Sequence, residues 1–239
     1  MKQFFLLLII SHLFFSCKKN VSPSKQPFIS KSTISNSFEI KGVLENFYPK
    51  TVYLNKIIEN SIYPIDSSEL VNNEFYFKGH VEFPERFALS YQNYSALTVF
   101  ILENTTIQIT VPSNSITDPT ITGSISNNAL EEYKNKSKQI FKQIDYLYPQ
   151  FQKYRLENNA KKLDEIGIKM KNIEQEFRSF SYNFIEKNPN SYVSAMILRD
   201  QLKSAKIDTL QIKNTYQLLS SEVQKSPDSE IIASFLKLH

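Results

Sequence analysis

Acid–base and nucleophilic chemistry needs groups in combination, and this sequence offers few. Its 239 residues include three histidines, one cysteine and no tryptophan. His80 and His239 are the only histidines beyond the apolar N-terminus, and His239 is the last residue. Neither a histidine metal cluster nor a Ser-His-Asp relay can be assembled from them, and an exposed strand position is expected for His80. Asp66, Ser67 and Ser68 put a carboxylate beside two hydroxyls, yet an Asx turn entering a strand accounts for that triplet. Glu103 stands alone beside Asn104 at a strand end, and a glycosidase needs a pair of carboxylates. Other acids sit among lysines, as in EEYKNKSK (131–138), and read as a solvated helix face. The expectation is therefore no catalytic residue, no cofactor, no metal site and no enzyme.

Cys17 has a different context. Lys2 supplies a positive start, Phe4 to Phe15 is apolar apart from Ser11 and His12, and the small residue Ser16 precedes the cysteine. This is the pattern of a secretory signal. The run falls short of the roughly twenty apolar residues that a membrane-spanning helix requires. A cysteine directly after a small residue there resembles the lipobox of bacterial lipoproteins, with Phe14 where leucine is usual. The resemblance implies a lipid thioether on Cys17, cleavage before it and membrane lipid as a partner; Lys18 as its neighbour implies the outer membrane, facing the periplasm. An ordinary signal peptide with an incidental cysteine is the alternative. Two or three acyl chains would hold the protein on a bilayer, at ~0.8 kcal/mol per buried methylene. Residues 18–37, rich in Ser, Lys and Asn, read as a tether.

With Cys17 consumed by lipid, the remaining chain has no thiol for a disulfide, a thiolate metal site or a redox pair. Hydrophobic residues make up 41% and charged residues 22%, a globular composition, with 18 Phe and 13 Tyr to fill a core. The net charge of +4 is too small to call for nucleic acid.

The character of the chain changes once, near residue 125. Before it, FEIKG (38–42), TVYLN (51–55), EFYFKG (74–79), RFALSY (86–91) and TTIQIT (105–110) alternate with the period of half-buried strands. Phe75 and Phe77 fall on one face, as do Phe87, Leu89 and Tyr91. LTVFIL (97–102) is apolar on both faces and suggests a central strand. About seven strands, antiparallel by their short connections, predict a sandwich or open barrel. Gly42, Gly79 and Gly123 each follow an apolar strand residue by two and suggest bulges or close backbone approach.

From 126 onward the period is helical. Tyr133, Ser137, Ile140, Ile144, Leu147, Phe151 and Tyr154 form one seam; Leu163, Ile166, Met170, Ile173, Phe177, Phe180 and Phe184 form a second. Joined by ENNA (157–160), they predict an antiparallel helical hairpin. Asn128 with Glu131 offers a capping box, and Pro149 should kink or split the first helix. Shorter helices are expected at about 191–203, 208–223 with Asp208 as cap, and 227–237 with Pro227 in the first turn. The fold class is α+β, organised as a signal (1–16), a lipidated cysteine and tether (17–37), a β domain (38–125) and an α-helical region (126–239).

FEIKGVLEN, VYLNKI, IDSSELVNNEFYFKGHV, LTVFILENTTIQITV and ITGSISNNALEEY together resemble domain of unknown function 4369, the N-terminal domain of thiol:disulfide interchange lipoproteins. The resemblance covers about 38–135, and extends more loosely to 235 through NPNSYVSAMIL. Longer family members carry a thioredoxin-like domain with a Cys-x-x-Cys pair after the helical segment. Those thiols are absent here, so the resemblance implies the companion module alone. The functional expectation is a non-catalytic, lipid-anchored accessory module that binds another envelope protein, which could be a separately encoded thioredoxin-like enzyme. The alternatives are a lipoprotein binding a glycan or small ligand through Tyr53, Tyr76 or Tyr94, and a truncated remnant of the longer oxidoreductase.

Overall fold

A computed structural model describes residues 36–58, 61–204 and 206–238. Eight strands come first: β1 (Phe38–Glu45), β2 (Thr51–Ile58), β3 (Ser61–Glu69), β4 (Glu74–Gly79), β5 (Glu85–Tyr91), β6 (Leu97–Leu102), β7 (Thr106–Pro112) and β8 (Thr120–Thr122). Six α-helices follow: α1 (Ile125–Leu156), α2 (Ala160–Lys187), α3 (Tyr192–Asp200), α4 (Thr209–Tyr216), α5 (Ser221–Gln224) and α6 (Pro227–Leu236). The strands form two four-stranded sheets, ordered β4-β1-β7-β8 and β3-β2-β5-β6.

Alternation drives the pairing. Ile40, Leu44, Phe75, Phe77, Ile107 and Ile109 of the first sheet and Leu54, Phe87, Leu89 and Phe100 of the second close one core between the sheets. Phe75 and Phe77 are buried together, as their spacing predicts.

Four expectations change. The strands number eight, because β3 and the three-residue β8 give no alternating burial to read. Pairing is not wholly antiparallel: β1 runs parallel to β7. β6 is an edge strand. It is apolar on both faces because Phe100 and Leu102 enter the sandwich core while Ile101 enters a second core built with the helices. The first and second glycines mark no bulge. Gly42 lies opposite Phe75 and Gly79 opposite Phe38, and a Cβ on Gly42 would meet the Phe75 ring at 1.9 Å. The absent side chain leaves room for an aromatic ring. The one register shift lies elsewhere, in β2–β3 at Leu54/Asn55, where Ile65 is the extra residue on β3.

Both seams form the helical hairpin. Its tip is closed by Asn158 at φ 50° and by Asn159, whose side chain caps α2. α1 runs unbroken through Pro149, so the proline does not split it. Its cap is Ser124, not Asn128: the Ser124 hydroxyl accepts from the Asn127 N–H. Asp208 caps α4 and Pro227 opens α6 as expected, while Ser220 starts a separate short α5.

Candidate interaction surfaces

Where sheet meets helix, the polar side chains converge on a joint. The start of α1 faces the edge of β6. Asn127 Oδ1 accepts from the Ile101 N–H at 2.9 Å, and its Nδ2 donates to the Ile101 carbonyl at 2.6 Å. One buried side chain thus imitates the missing neighbour strand, satisfying backbone groups an edge would leave open. Glu103, just past β6, accepts from the Ser124 hydroxyl at 2.6 Å, the Ser126 N–H at 3.2 Å and the Ser126 hydroxyl. A carboxylate at a helix N-terminus is stabilised by the free N–H groups and the helix dipole.

A second tie uses charge. Arg86 of β5 donates to both carboxylate oxygens of Asp200 at the end of α3, at 3.0 and 2.6 Å. Burial is the largest single influence and works against the Arg86 charge, but the hydrogen bond to Asp200 and the attraction of Asp200 and Asp228 together hold the guanidinium above its ordinary pKa. Arg199 donates to the buried Asp228 of α6 at 2.7 Å. The serines and acids of this joint therefore act on each other and on backbone, an arrangement suited to fixing helices on a sheet.

The outer face of the first sheet is open. Rows of neighbouring residues cross it: Tyr76, Lys41, Gln108 and Thr122 form one, and Glu74, Val43 and Thr110 another. All of these but Thr122, together with Ser68, Glu69 and Val71, line a trough of about 660 Å³. Tyr76 is 46% exposed there, an aromatic ring among amide, hydroxyl and charged groups.

The distal half of the helical hairpin forms the third surface. Ile140, Leu147, Ile166 and Ile173 make a small core packed by Phe141, Ile144, Phe151, Met170 and Phe177, and among the described residues none from another element joins it. Tyr146, Tyr148, Leu156 and Ile168 are exposed around it. A groove of about 510 Å³ runs along α1 and α2, with Tyr146, Leu147 and Ile173 as its apolar lining and Lys169 and Glu176 beside them.

The residues singled out in the sequence are scattered. Cys17, the signal and most of the tether lie outside the described residues. His80 is exposed in the turn just after β4 rather than in a strand, its Nδ1 2.7 Å from the Asn36 carbonyl oxygen. Asp66, Ser67 and Ser68 are inside β3, not in a turn before it. There the Asp66 carboxylate accepts from the Ser67 N–H and the Ser68 hydroxyl from the Tyr76 N–H. Glu103 lies at its strand end as expected, engaged by α1. Of the three tyrosines, Tyr76 and Tyr94 are exposed and Tyr53 is half-buried, and the Tyr94 ring packs edge-on against Phe47. Sequence reasoning missed Arg86, Asp200, Asn127 and Asp228. The Arg86–Asp200 pair spans 114 positions of sequence, a separation that carries no local signal.

Among the described residues no group of three or more His, Cys, Asp or Glu could hold a metal ion, and no helix is long and apolar enough to cross a membrane. No curated protein and no solved structure matches the chain. A family model does match: residues 38–130, from β1 through the joint residues Glu103, Ser124, Ser126 and Asn127 at the start of α1, correspond to the domain of unknown function DUF4369.

Proposed function

We propose that the chain is a non-catalytic, lipid-anchored protein of the cell envelope, held by Cys17 on the outer membrane facing the periplasm, which serves as an accessory module by binding another envelope protein. The observation that carries the anchor is the apolar run from Phe4 to Phe15 ending in Ser16-Cys17. The anchor is tested by acyl labelling. Wild-type chain incorporates labelled fatty acid and sediments with membranes; Cys17→Ser loses the label, because a hydroxyl does not replace the thiolate that takes up the lipid. Label surviving in the serine variant rules the anchor out.

The distal helical arm supports the partner-binding role. Exposed apolar residues around a two-helix core offer contact area that the rest of the chain leaves uncovered. A photo-crosslinking residue at Tyr146 should join the arm to one discrete envelope protein in intact cells, with the adduct lost on Ile168→Asp. Adducts equally abundant from Tyr48, on the sandwich, would remove the arm from this role. Insulin disulfides should not be reduced by the purified chain, which lacks the second cysteine such exchange requires.

A second reading rests on the trough over the first sheet: Tyr76 beside Gln108, Lys41 and Glu69 suits a saccharide that stacks on the ring and hydrogen-bonds at its rim. Glycan-array binding abolished by Tyr76→Ala would favour it.

A further inference from the structure

We propose that the end of β2 and the start of β3, the paired residues 56–58 and 61–65, form a membrane-docking element through which the anchored sandwich rests on the lipid surface. This rests on the lipid-anchored reading above. Ile58, Ile62, Tyr63 and Ile65 are 49, 41, 52 and 54% exposed, close together on paired strands, and Ile57 lies half-buried opposite Ile62. Alternation puts Ile58 and Tyr63 on one face of the strand pair and Ile57 and Ile62 on the other, so both faces present apolar side chains, and exposed apolar groups gathered in this way mark an interaction surface.

Two features decide what covers it. The first is that β3, although an edge strand, is poorly built for strand addition. Pro64 has no N–H to offer an incoming strand, and the bulge at Ile65 breaks the regular pleat. Main-chain pairing with another protein, or with a second copy, is thereby disfavoured, while the apolar side chains remain presented. An apolar medium that needs no backbone partner fits, and the hydrocarbon boundary of a bilayer is such a medium. Tyr63 adds an aromatic ring with a polar tip, the type of side chain that settles at lipid headgroups.

The second is position. The first residues of β1 lie at the end of the sandwich where β2 finishes and β3 begins. Phe38, the first residue of β1, pairs with Gly79 at the end of β4, and Glu39 pairs with Thr106 at the start of β7. The connections after β4 and β6 meet at that end through Asn104 and Val81, and Asn36 lies against His80 there. At the same end Lys56 of β2 donates to Glu85, the first residue of β5. Asn36 and Phe38, from which the sequence leads back to Cys17, and the apolar strand ends therefore share one end of the sandwich, the end that an anchor on Cys17 favours for approach to the bilayer.

The absence of tryptophan makes the test direct, since an introduced indole is the only one present. Tyr63→Trp is prepared in the chain from Lys18 onward, with a hexahistidine tag replacing residues 1–17, and held on phosphatidylethanolamine–phosphatidylglycerol vesicles by a nickel-chelating lipid. The tether is retained, so docking is read independently of acylation; labelling of Cys17 in the native chain reads the anchor separately. Vesicles with brominated acyl chains should quench the indole at position 63 by about half and shift its emission to the blue, as expected of an indole at the acyl boundary. Tyr94→Trp, in the connection at the opposite end between β5 and β6, should be unaffected. Adding the double change Ile58→Ser, Ile62→Ser to the Tyr63→Trp chain should abolish the quenching without altering the denaturation midpoint, because both side chains are exposed. Vesicle-bound Tyr63→Trp protein whose indole stays unquenched overturns the proposal, as does equal quenching in the Tyr94→Trp variant. A blue shift of the Tyr63→Trp variant that grows with protein concentration in the absence of lipid also overturns it and assigns the element to a second copy of the chain.

Discussion

The sandwich and the distal half of the helical hairpin are built from equally regular patterns, yet they bury very different amounts. The sandwich closes sixteen buried side chains into one cluster, whereas the hairpin closes four. The reason is geometric. Two sheets present broad facing surfaces, and alternate residues of every inner strand are removed from water. Two helices meet only along a seam, so residues such as Ile144, Phe151 and Phe177 remain half-exposed at its margins. α1, at 32 residues, is about 48 Å long at ~1.5 Å per residue, and only its first turns share the second core. Hydrophobic periodicity of similar quality therefore yields a rigid body in one region and a marginal one in the other, and a marginal apolar arm is the part best suited to be completed by a partner.

The contrast is broken most directly in the sandwich. Phe77 is 1% exposed at the centre of the core, and Phe77→Ala should cost about 3–5 kcal/mol in denaturant unfolding, lowering protection from hydrogen exchange in every strand. A loss below ~0.5 kcal/mol would show that the inner face is not the core it is taken for. Ile173→Ala in the arm should cost about 2 kcal/mol at most, near the low end for such truncations, since its surroundings can collapse onto the space. Its signature is local: exchange should accelerate across 138–175 while amides of β1, β5 and β7 keep wild-type rates. Uniform acceleration would mean that arm and sandwich unfold as one unit, erasing the difference.

Between these regions lies the joint. Asn127→Ala leaves the Ile101 N–H and carbonyl without their side-chain partner and should cost about 1–3 kcal/mol, the usual penalty for stranding buried polar groups. The measurement that separates this from a simple core defect is the appearance of two transitions, helices before sandwich, where wild type has one.

How much of this can be read from sequence follows the same division. Wherever a residue's burial depends on its own strand or helix, the pattern is legible: the alternation of β1, β4, β5 and β7, the two hairpin seams, the cap at Asp208 and the proline opening α6. β3 gives no strand signal, and its Asp66-Ser67-Ser68 reads as an Asx turn, because SIYPIDSSE is exposed on both faces and so never alternates. β6 reads as central because burial on two faces looks alike whether a strand or a helix supplies the cover. The parallel pairing of β1 with β7 and the bridge from Arg86 to Asp200 depend on where distant segments arrive, which no local period encodes. Among the candidate surfaces, Tyr76 is visible as an aromatic in a strand, but the trough around it requires the register of three strands. The cap at Ser124 is local, its hydroxyl accepting from the Asn127 N–H, but the Glu103 carboxylate that accepts from that hydroxyl lies 21 positions earlier and escapes a local reading.

The smallest expected effect tests how the surface contributes to the same joint. Asp118, in the connection before β8, accepts from Lys138 at 2.8 Å and Lys134 at 3.4 Å on α1. The hydrogen bond from Lys138 is the main cause that holds the Asp118 carboxyl below its ordinary value, aided by Lys134 and opposed by burial. Lys138 is held above its ordinary value, again chiefly by that bond. A carboxylate with a depressed folded pKa adds stability above its unfolded value of about 4, and loses it as pH falls through the lower folded value. A lysine with a raised folded pKa adds stability below about 10.4, lost as pH rises through the higher folded value. The pair should therefore stabilise the folded chain across the neutral range and fade at both extremes. Since these side chains are 43 and 56% exposed, solvent screening limits the gain to no more than about 0.5 kcal/mol. Denaturant midpoints of wild type and Asp118→Asn, compared from acid to alkaline pH at low salt, should differ most near neutrality and converge below about pH 3 and in ~1 M salt. A difference that persists in acid would trace the effect to the Asn side chain rather than to charge. One above ~1 kcal/mol would make this surface contact comparable to Asn127, and the joint would then depend on its exposed rim as much as on its buried centre.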